Sequence, residues 1–147
     1  MSSEAGARDL RLTRAAVDDM IEDCLAGRPN EACGMIAAAR GEPADRVLRI
    51  ANEARSPVRY RFETHDLLRA HQLLETEGLD LAAVYHSHTR TEAYPSPTDV
   101  REAVEDVPYV IVSLADDPPV VRAFRIVKEK LWDEAGEVVE VPVVVLG

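Results

Sequence analysis

Four residues in one stretch of this chain have the types and spacing to do chemistry together: His86, His88, Ser96 and Asp99. The stretch runs from Val84 to Val100 and forms the pattern H-x-H-x7-S-x2-D, with half of the chain's four histidines inside it. If Leu81-Ala82-Ala83-Val84-Tyr85 is a strand, its period of two puts both imidazoles on one face, close enough to share a cation. Ser96-Pro97-Thr98-Asp99 reads as a helix start, with serine as N-cap, proline at the first position and an acid at the third. A carboxylate in a first helical turn is held nearly rigid, so the same cap can present Asp99 to a metal fixed by the strand.

Plainer roles compete with this one. The histidines can be polar residues at a strand end, and Ser96 with Asp99 can be a cap and nothing more. A second metal pattern, H-x-H-x3-E through Glu92, resembles the first motif of cupin barrels, but that fold needs a later histidine and none follows His88.

The elements that must position these residues are legible around them. Leu10 and Leu12 suggest a short edge strand; Val17, Met20, Ile21, Cys24 and Leu25 then recur at helical spacing, with Thr13 as cap and Gly27 and Pro29 as the end. Asp18, Asp19, Glu22 and Asp23 form the solvated face of that helix, and Cys24 belongs to the core. The run Glu31 to Ala39 reads as a buried strand, Val47, Leu48 and Ile50 as its partner, and Val58, Tyr60 and Phe62 as a third strand after Ser56-Pro57. Thr64 is expected to cap a second helix carrying Leu67, Ala70, His71 and Leu74 on one face and closed by Gly78, with His71 a packing histidine and His65 exposed. Val100, Ala103 and Val104 extend a short third helix. Tyr109 to Leu114, Val120 to Val127, a segment around Leu131-Trp132 and Val138 to Leu146 add strands, with Trp132 expected in the core. The predicted class is α+β, an α/β/α-like sandwich with a mixed curved sheet flanked by helices.

Composition bounds the function. With 147 residues, 46% of them hydrophobic, residues 10–147 are expected to form a single domain after a disordered lead over 1–9. A net charge of −10 disfavours nucleic acid and anionic membrane as partners, because phosphate binding is driven by Lys and Arg. Two cysteines, Cys24 and Cys33, are too few for a disulfide framework, and no secretory n-region or h-region opens the chain, so a cytoplasmic protein is expected. No apolar run approaches the roughly 20 residues of a membrane helix.

Glu31 followed by H-x-H-x7-S-x2-D resembles the JAMM (MPN-type) zinc metalloproteases, a cytidine-deaminase-like sandwich that also houses deubiquitinating isopeptidases. Within that family E-A-C-G at Glu31 to Gly34, N-E-A-R-S-P at Asn52 to Pro57, Y-H-S-H-T-x-T-E-A-Y-P-S and F-R-I-V at Phe124 to Val127 look like the compact bacterial enzymes; residues 128–147 are less familiar. The resemblance implies one Zn²⁺ per chain on His86, His88 and Asp99, leaving a fourth position for a water whose pKa zinc lowers to about 7. It also implies Glu31 as the base that moves a proton from water to the leaving amine, and Ser96 as a donor to the oxyanion. The implied substrate is a ubiquitin-like sulfur-carrier protein cut after its C-terminal Gly-Gly, with release of cysteine or a short extension, and the resemblance allows a homodimer. A non-catalytic MPN scaffold is the alternative within the family, although such members typically lose the ligands. Cys33 lies two residues from Glu31 and should share its face, either as a redox-sensitive thiol near the metal or as a packed apolar residue.

Overall fold

The structure, a computed structural model, describes residues 8–147. Most of the expected lead over 1–9, namely residues 1–7, lies outside the described residues. Strand β1 (Leu10–Thr13) runs into helix α1 (Arg14–Gly27), whose Thr13 cap accepts the Ala16 N–H at 3.1 Å and whose buried stripe is Ala16, Val17, Met20 and Cys24. Next come β2 (Cys33–Ala38), buried at every residue, its antiparallel neighbour β3 (Arg46–Ile50), and α2 (Thr64–Glu77), which stops at Gly78 with φ 66°. After β4 (Asp80–His88) the chain forms α3 (Pro97–Glu102), β5 (Tyr109–Ser113), β6 (Val120–Val127), β7 (Glu137–Val141) and β8 (Val143–Leu146).

Six strands make one mixed sheet in the order β3-β2-β4-β5-β6-β7, and β1 pairs in parallel with β8 in a separate two-stranded sheet. Only β4 and β5 are parallel in the larger sheet, because the connection carrying α3 crosses over between them. Strand β4 is thereby hydrogen-bonded on both sides, to β2 and β5, and is buried from Ala83 to His88. On one face Val17, Met20 and Cys24 of α1 pack with Leu10 and Leu12 against Ile36, Tyr85, Val110 and Val112. On the other, Ala70 of α2 lies with Met35 and Ile50, while Ala103 at the end of α3 lies with Val84 and Tyr109. Each fully buried Leu, Ile, Val or Met contributes about 1.5–3 kcal/mol, so the sheet is held from both sides. This is the expected α+β architecture, a mixed sheet flanked by helices.

One crossing fixes α1 to the central strand. The register sets Gly34 opposite Tyr85, and a Cβ at Gly34 would lie 2.5 Å from the Tyr85 ring and 2.5 Å from the Leu48 carbonyl oxygen. The bare glycine lets the Tyr85 ring pass over it to donate its hydroxyl proton to Asp23 Oδ2 on α1, at 2.6 Å. Burial raises the Asp23 carboxyl above its ordinary range.

Several sequence expectations need correction. Val58, Tyr60 and Phe62 alternate as a strand would, yet the segment makes only a single bridge, Asn52 to Phe62, because side-chain bonds to Asn52 replace a ladder. Leu131-Trp132 lies in a turn, and Trp132 is 77% exposed with Lys130 over its ring, so it is not core. His71 is exposed because α2 packs at the edge strand and buries only Ala70 and Leu74. Helix α2 is capped one residue earlier than expected, by the Glu63 carboxylate, which accepts from the His65 and Asp66 N–H groups. Helix α3 ends at Glu102, with Ala103 already in extended backbone. Among the described residues no helix is long and apolar enough to cross a membrane.

Candidate metal centre

The end of β4 puts His86 and His88 on one face, and the first turn of α3 brings Asp99 to them. Their facing atoms form a small triangle: His86 Nε2 to His88 Nε2 3.2 Å, His86 Nε2 to Asp99 Oδ2 3.2 Å, and His88 Nε2 to Asp99 Oδ2 3.0 Å. All three residues are nearly or fully buried. Among the described residues no other group of His, Cys, Asp and Glu brings three ligand atoms together. A tetrahedral face around a zinc with bonds of ~2.0–2.1 Å has edges of ~3.3 Å, close to the triangle present.

Proton bookkeeping points the same way. His88 Nδ1 lies 2.8 Å from the Glu92 carbonyl oxygen. A carbonyl only accepts, so this nitrogen carries the hydrogen, and in the neutral ring Nε2 is a bare lone pair. A bare nitrogen and a carboxylate oxygen 3.0 Å apart repel unless positive charge lies between them, which a shared proton or a metal cation supplies. Burial disfavours the charged form of both histidines; it leaves His86 below its ordinary pKa, whereas the Asp99 and Glu92 contacts outweigh it at His88, which is raised. Burial also opposes the Asp99 carboxylate, but hydrogen bonds from His86 and His88 prevail and hold it well below the usual carboxylate range. The donor set is thus one anion and two imidazoles that can be neutral, which fits a borderline-soft divalent ion.

Ser96 and Asp99 form the expected capping box: Asp99 N–H donates to Ser96 Oγ at 3.0 Å and Ser96 N–H to Asp99 Oδ2 at 2.9 Å. The oxygen that takes the backbone proton is the one facing the histidines, so the cap and the triangle share an atom. In the cap the Ser96 hydroxyl is an acceptor and keeps its own proton to donate elsewhere.

Glu31 sits just before β2. Ala32 donates its N–H to Ser87 Oγ at 2.8 Å and accepts the Ser87 N–H at 3.0 Å, and Cys33 is paired with His86, so Glu31 falls level with His88 on the same face. The side chain is 4% exposed and its Oε1 has no partner. Burial pushes its carboxyl up to about 8, with the nearby His88 pulling downward and Asp99 adding to the rise. Cys33 shares this face but is fully buried with Sγ 3.4 Å from the Ile50 carbonyl, and burial holds the thiol far above its ordinary pKa, as for a packed residue. Of the other histidines, His65 is exposed as expected and His71 is exposed on α2.

Two residues not expected at the centre are brought here by the fold. The Tyr60 ring stacks on His86 at 4.5 Å and 24°. Asn52 holds the Glu31 carbonyl and the residues flanking Tyr60 through its side-chain amide. The signal available for Asn52 was its Asx turn, Ala54 N–H to Asn52 Oδ1 at 3.0 Å, a local pattern that Asn in a loop favours.

A family model described as prokaryotic homologs of the JAB domain matches residues 13–127. The chain belongs to the JAMM/MPN family. It is 38% identical over 127 residues to the CysO-cysteine peptidase of Mycobacterium tuberculosis, covering 84% of this chain and 87% of that one. It is 39% identical over 103 residues to a probable TtuB-protein conjugate cleaving protease of Thermus thermophilus, covering 69% and 68%. A JAB1/MPN domain protein of Archaeoglobus fulgidus superposes with a TM-score of 0.58 at 16% identity, over 91% of this chain and 98% of that one, which shows the shared JAMM/MPN fold. The cupin alternative falls with this fold: the Glu92 side chain is exposed, and its backbone carbonyl is what touches His88.

Proposed function

We propose that the chain is a zinc-dependent metallopeptidase that hydrolyses the bond after the C-terminal Gly-Gly of a ubiquitin-like sulfur-carrier protein, releasing cysteine or a short extension. The observation that carries the proposal is the His86, His88 and Asp99 triangle with buried Glu31, whose Oε1 has no partner, on the same face. Relatives named for cutting CysO-cysteine and TtuB-protein conjugates support a small carrier as the substrate class. Two free, buried cysteines and no disulfide accord with a cytoplasmic enzyme, and the −10 charge accords with a protein rather than a nucleic-acid partner.

His86, His88 and Asp99 would hold the zinc, one per chain. Bound there, zinc supplies Lewis-acid polarisation of water and of the scissile carbonyl. The remaining steps belong to side chains. Glu31 accepts the proton of the attacking water and returns it to the departing amine, from a position level with His88 on the same face of the sheet. The Ser96 hydroxyl donates its free proton to the oxyanion, while its lone pair stays on the Asp99 N–H. Residues without bulk fit a tail held extended close to the metal, which favours Gly-Gly, and the carrier body supplies the binding energy that positions the tail.

The test compares three substrates: a carrier ending Gly-Gly-Cys, the same carrier ending Ala-Ala-Cys, and a short tail peptide. The first should have the highest kcat/KM, with mass spectrometry showing free cysteine and a carrier ending in Gly-Gly. Equal values for all three would make the chain a general small-peptide hydrolase instead.

A further inference from the structure

The two histidines of the centre are held in different ways. His88 is oriented by a hydrogen bond from Nδ1 to the Glu92 carbonyl, the usual device for a metal-binding imidazole. His86 has no such bond: its Nδ1 is buried and without a partner. What lies against its ring is Tyr60, nearly parallel at 24° with the centroids 4.5 Å apart.

Tyr60 comes from the segment between β3 and α2, where the Asn52–Phe62 bridge, with Glu53 N–H to the Arg61 carbonyl at 2.8 Å, is the sole strand-like tie and stops short of Tyr60 itself. The Asn52 side chain supplies a further hold. Its Nδ2 donates to the Glu31 carbonyl at 2.9 Å and the Arg59 carbonyl at 3.1 Å, and its Oδ1 accepts from Ala54 N–H at 3.0 Å and Arg61 N–H at 3.1 Å. All four hydrogen-bonding positions of the amide are used. Two of them grip the neighbours of Tyr60 on either side, and a third ties the segment to the residue proposed as base. The Phe62 ring lies 5.7 Å from that of Tyr60, tilted by 53°.

We infer that Tyr60 is a positioning residue for the metal centre, its Asn52-anchored ring fixing the imidazole plane of His86 in place of the missing Nδ1 hydrogen bond. The inference rests on the metal reading proposed above. It makes the flat face of Tyr60, not its hydroxyl, the feature that matters, and it predicts an effect on metal affinity as well as on turnover.

The experiment uses the full chain with Tyr60→Phe, Tyr60→Leu, Tyr60→Met and, as a neighbouring control, Phe62→Leu. Zinc dissociation constants are measured by chelator competition, kcat and KM on the carrier substrate, and thermal midpoints on the metal-free proteins. Tyr60→Leu and Tyr60→Met should weaken zinc binding by about 10–100-fold, the usual range for losing an outer-shell partner, and lower kcat with little change in KM. Tyr60→Phe should stay within about twofold of wild type in zinc affinity. Phe62→Leu should lower the metal-free midpoint while leaving zinc affinity within the same twofold. Unchanged zinc affinity in a folded Tyr60→Leu or Tyr60→Met protein would overturn the inference, and so would an equal loss in Phe62→Leu, which would make the effect one of packing. If neither non-aromatic variant folds, Tyr60→Phe decides, because a tenfold loss there would show that the hydroxyl and not the ring face is at work. Wild-type protein that binds no zinc would remove the proposed function itself; zinc that is lost on His86→Ala but indifferent to Tyr60 would remove only this inference.

Discussion

Nδ1 of His88 lies 2.8 Å from the carbonyl oxygen of Glu92. That contact selects the tautomer whose Nε2 lone pair faces the Asp99 carboxylate, and the fold thereby builds a repulsion that only a proton or a cation can relieve. The centre is therefore pre-shaped for positive charge by its backbone as well as by its side chains.

Metal content tests this directly. Wild-type protein should bind one zinc per chain, and the His86→Ala, His88→Ala double variant should lose it; elemental analysis after dialysis is the measurement. Zinc retained at one per chain in the double variant would place the site elsewhere.

The role proposed for Glu31 is separable from metal binding. Glu31→Gln should keep zinc near one per chain while turnover falls by about 10²–10⁴, the scale of general acid–base catalysis. Loss of zinc in this variant would make Glu31 a ligand, and full activity would take it out of the mechanism.

The same carboxyl sets a pH dependence in the metal-free protein. Its pKa is pushed from 4.5 to about 8 by burial. Below 4.5 both folded and unfolded chains hold the proton and nothing is lost. Between the two values only the folded chain holds it, so the folded state binds more protons and stability falls as pH rises, with the full cost reached above 8. A shift of this size corresponds to a cost on the order of 5 kcal/mol. Denaturant titrations across this range should show metal-free Glu31→Gln gaining stability over wild type as pH rises; parallel curves would contradict the buried, protonated carboxyl.

Ser96 can be divided between cap and catalyst. Ser96→Ala should cost about 0.5–2 kcal/mol of stability, and Ser96→Gly only a few tenths, because glycine is tolerated at an N-cap. Both should lose about 10²–10³ in kcat if the hydroxyl serves the oxyanion. If Ser96→Gly retains wild-type kcat, the residue is a cap alone.

Much of the centre was legible because it is local. A period of two put His86 and His88 on one face, and S-P-T-D announced the turn that carries Asp99. Glu31 was not readable from composition, as one of 27 acids; its place follows from the β2 to β4 register, and only the family resemblance singled it out. Tyr60 was misassigned for a physical reason: alternating Val58, Tyr60 and Phe62 have the pattern of a strand, but Asn52 uses up the neighbouring backbone groups, and the aromatic face is turned to a histidine instead of a sheet partner. Trp132 and His71 failed in the opposite direction, since apolar character or helical spacing says nothing about whether another element arrives to cover them.

Gly34 touches no reacting atom, yet any side chain there would collide with Tyr85 and the Leu48 carbonyl one residue from the pairing that sets His86. Saturation mutagenesis scored by activity alone would therefore rank it beside His86, His88 and Asp99. Substitution at Gly34 should displace the strand that carries His86 and His88, whereas substitution at Glu31 should leave that strand in place. Intolerance at Gly34 is thus a property of the scaffold's steric tolerances, and a comparison of metal content with turnover across the scan is what would sort such positions from the chemical ones.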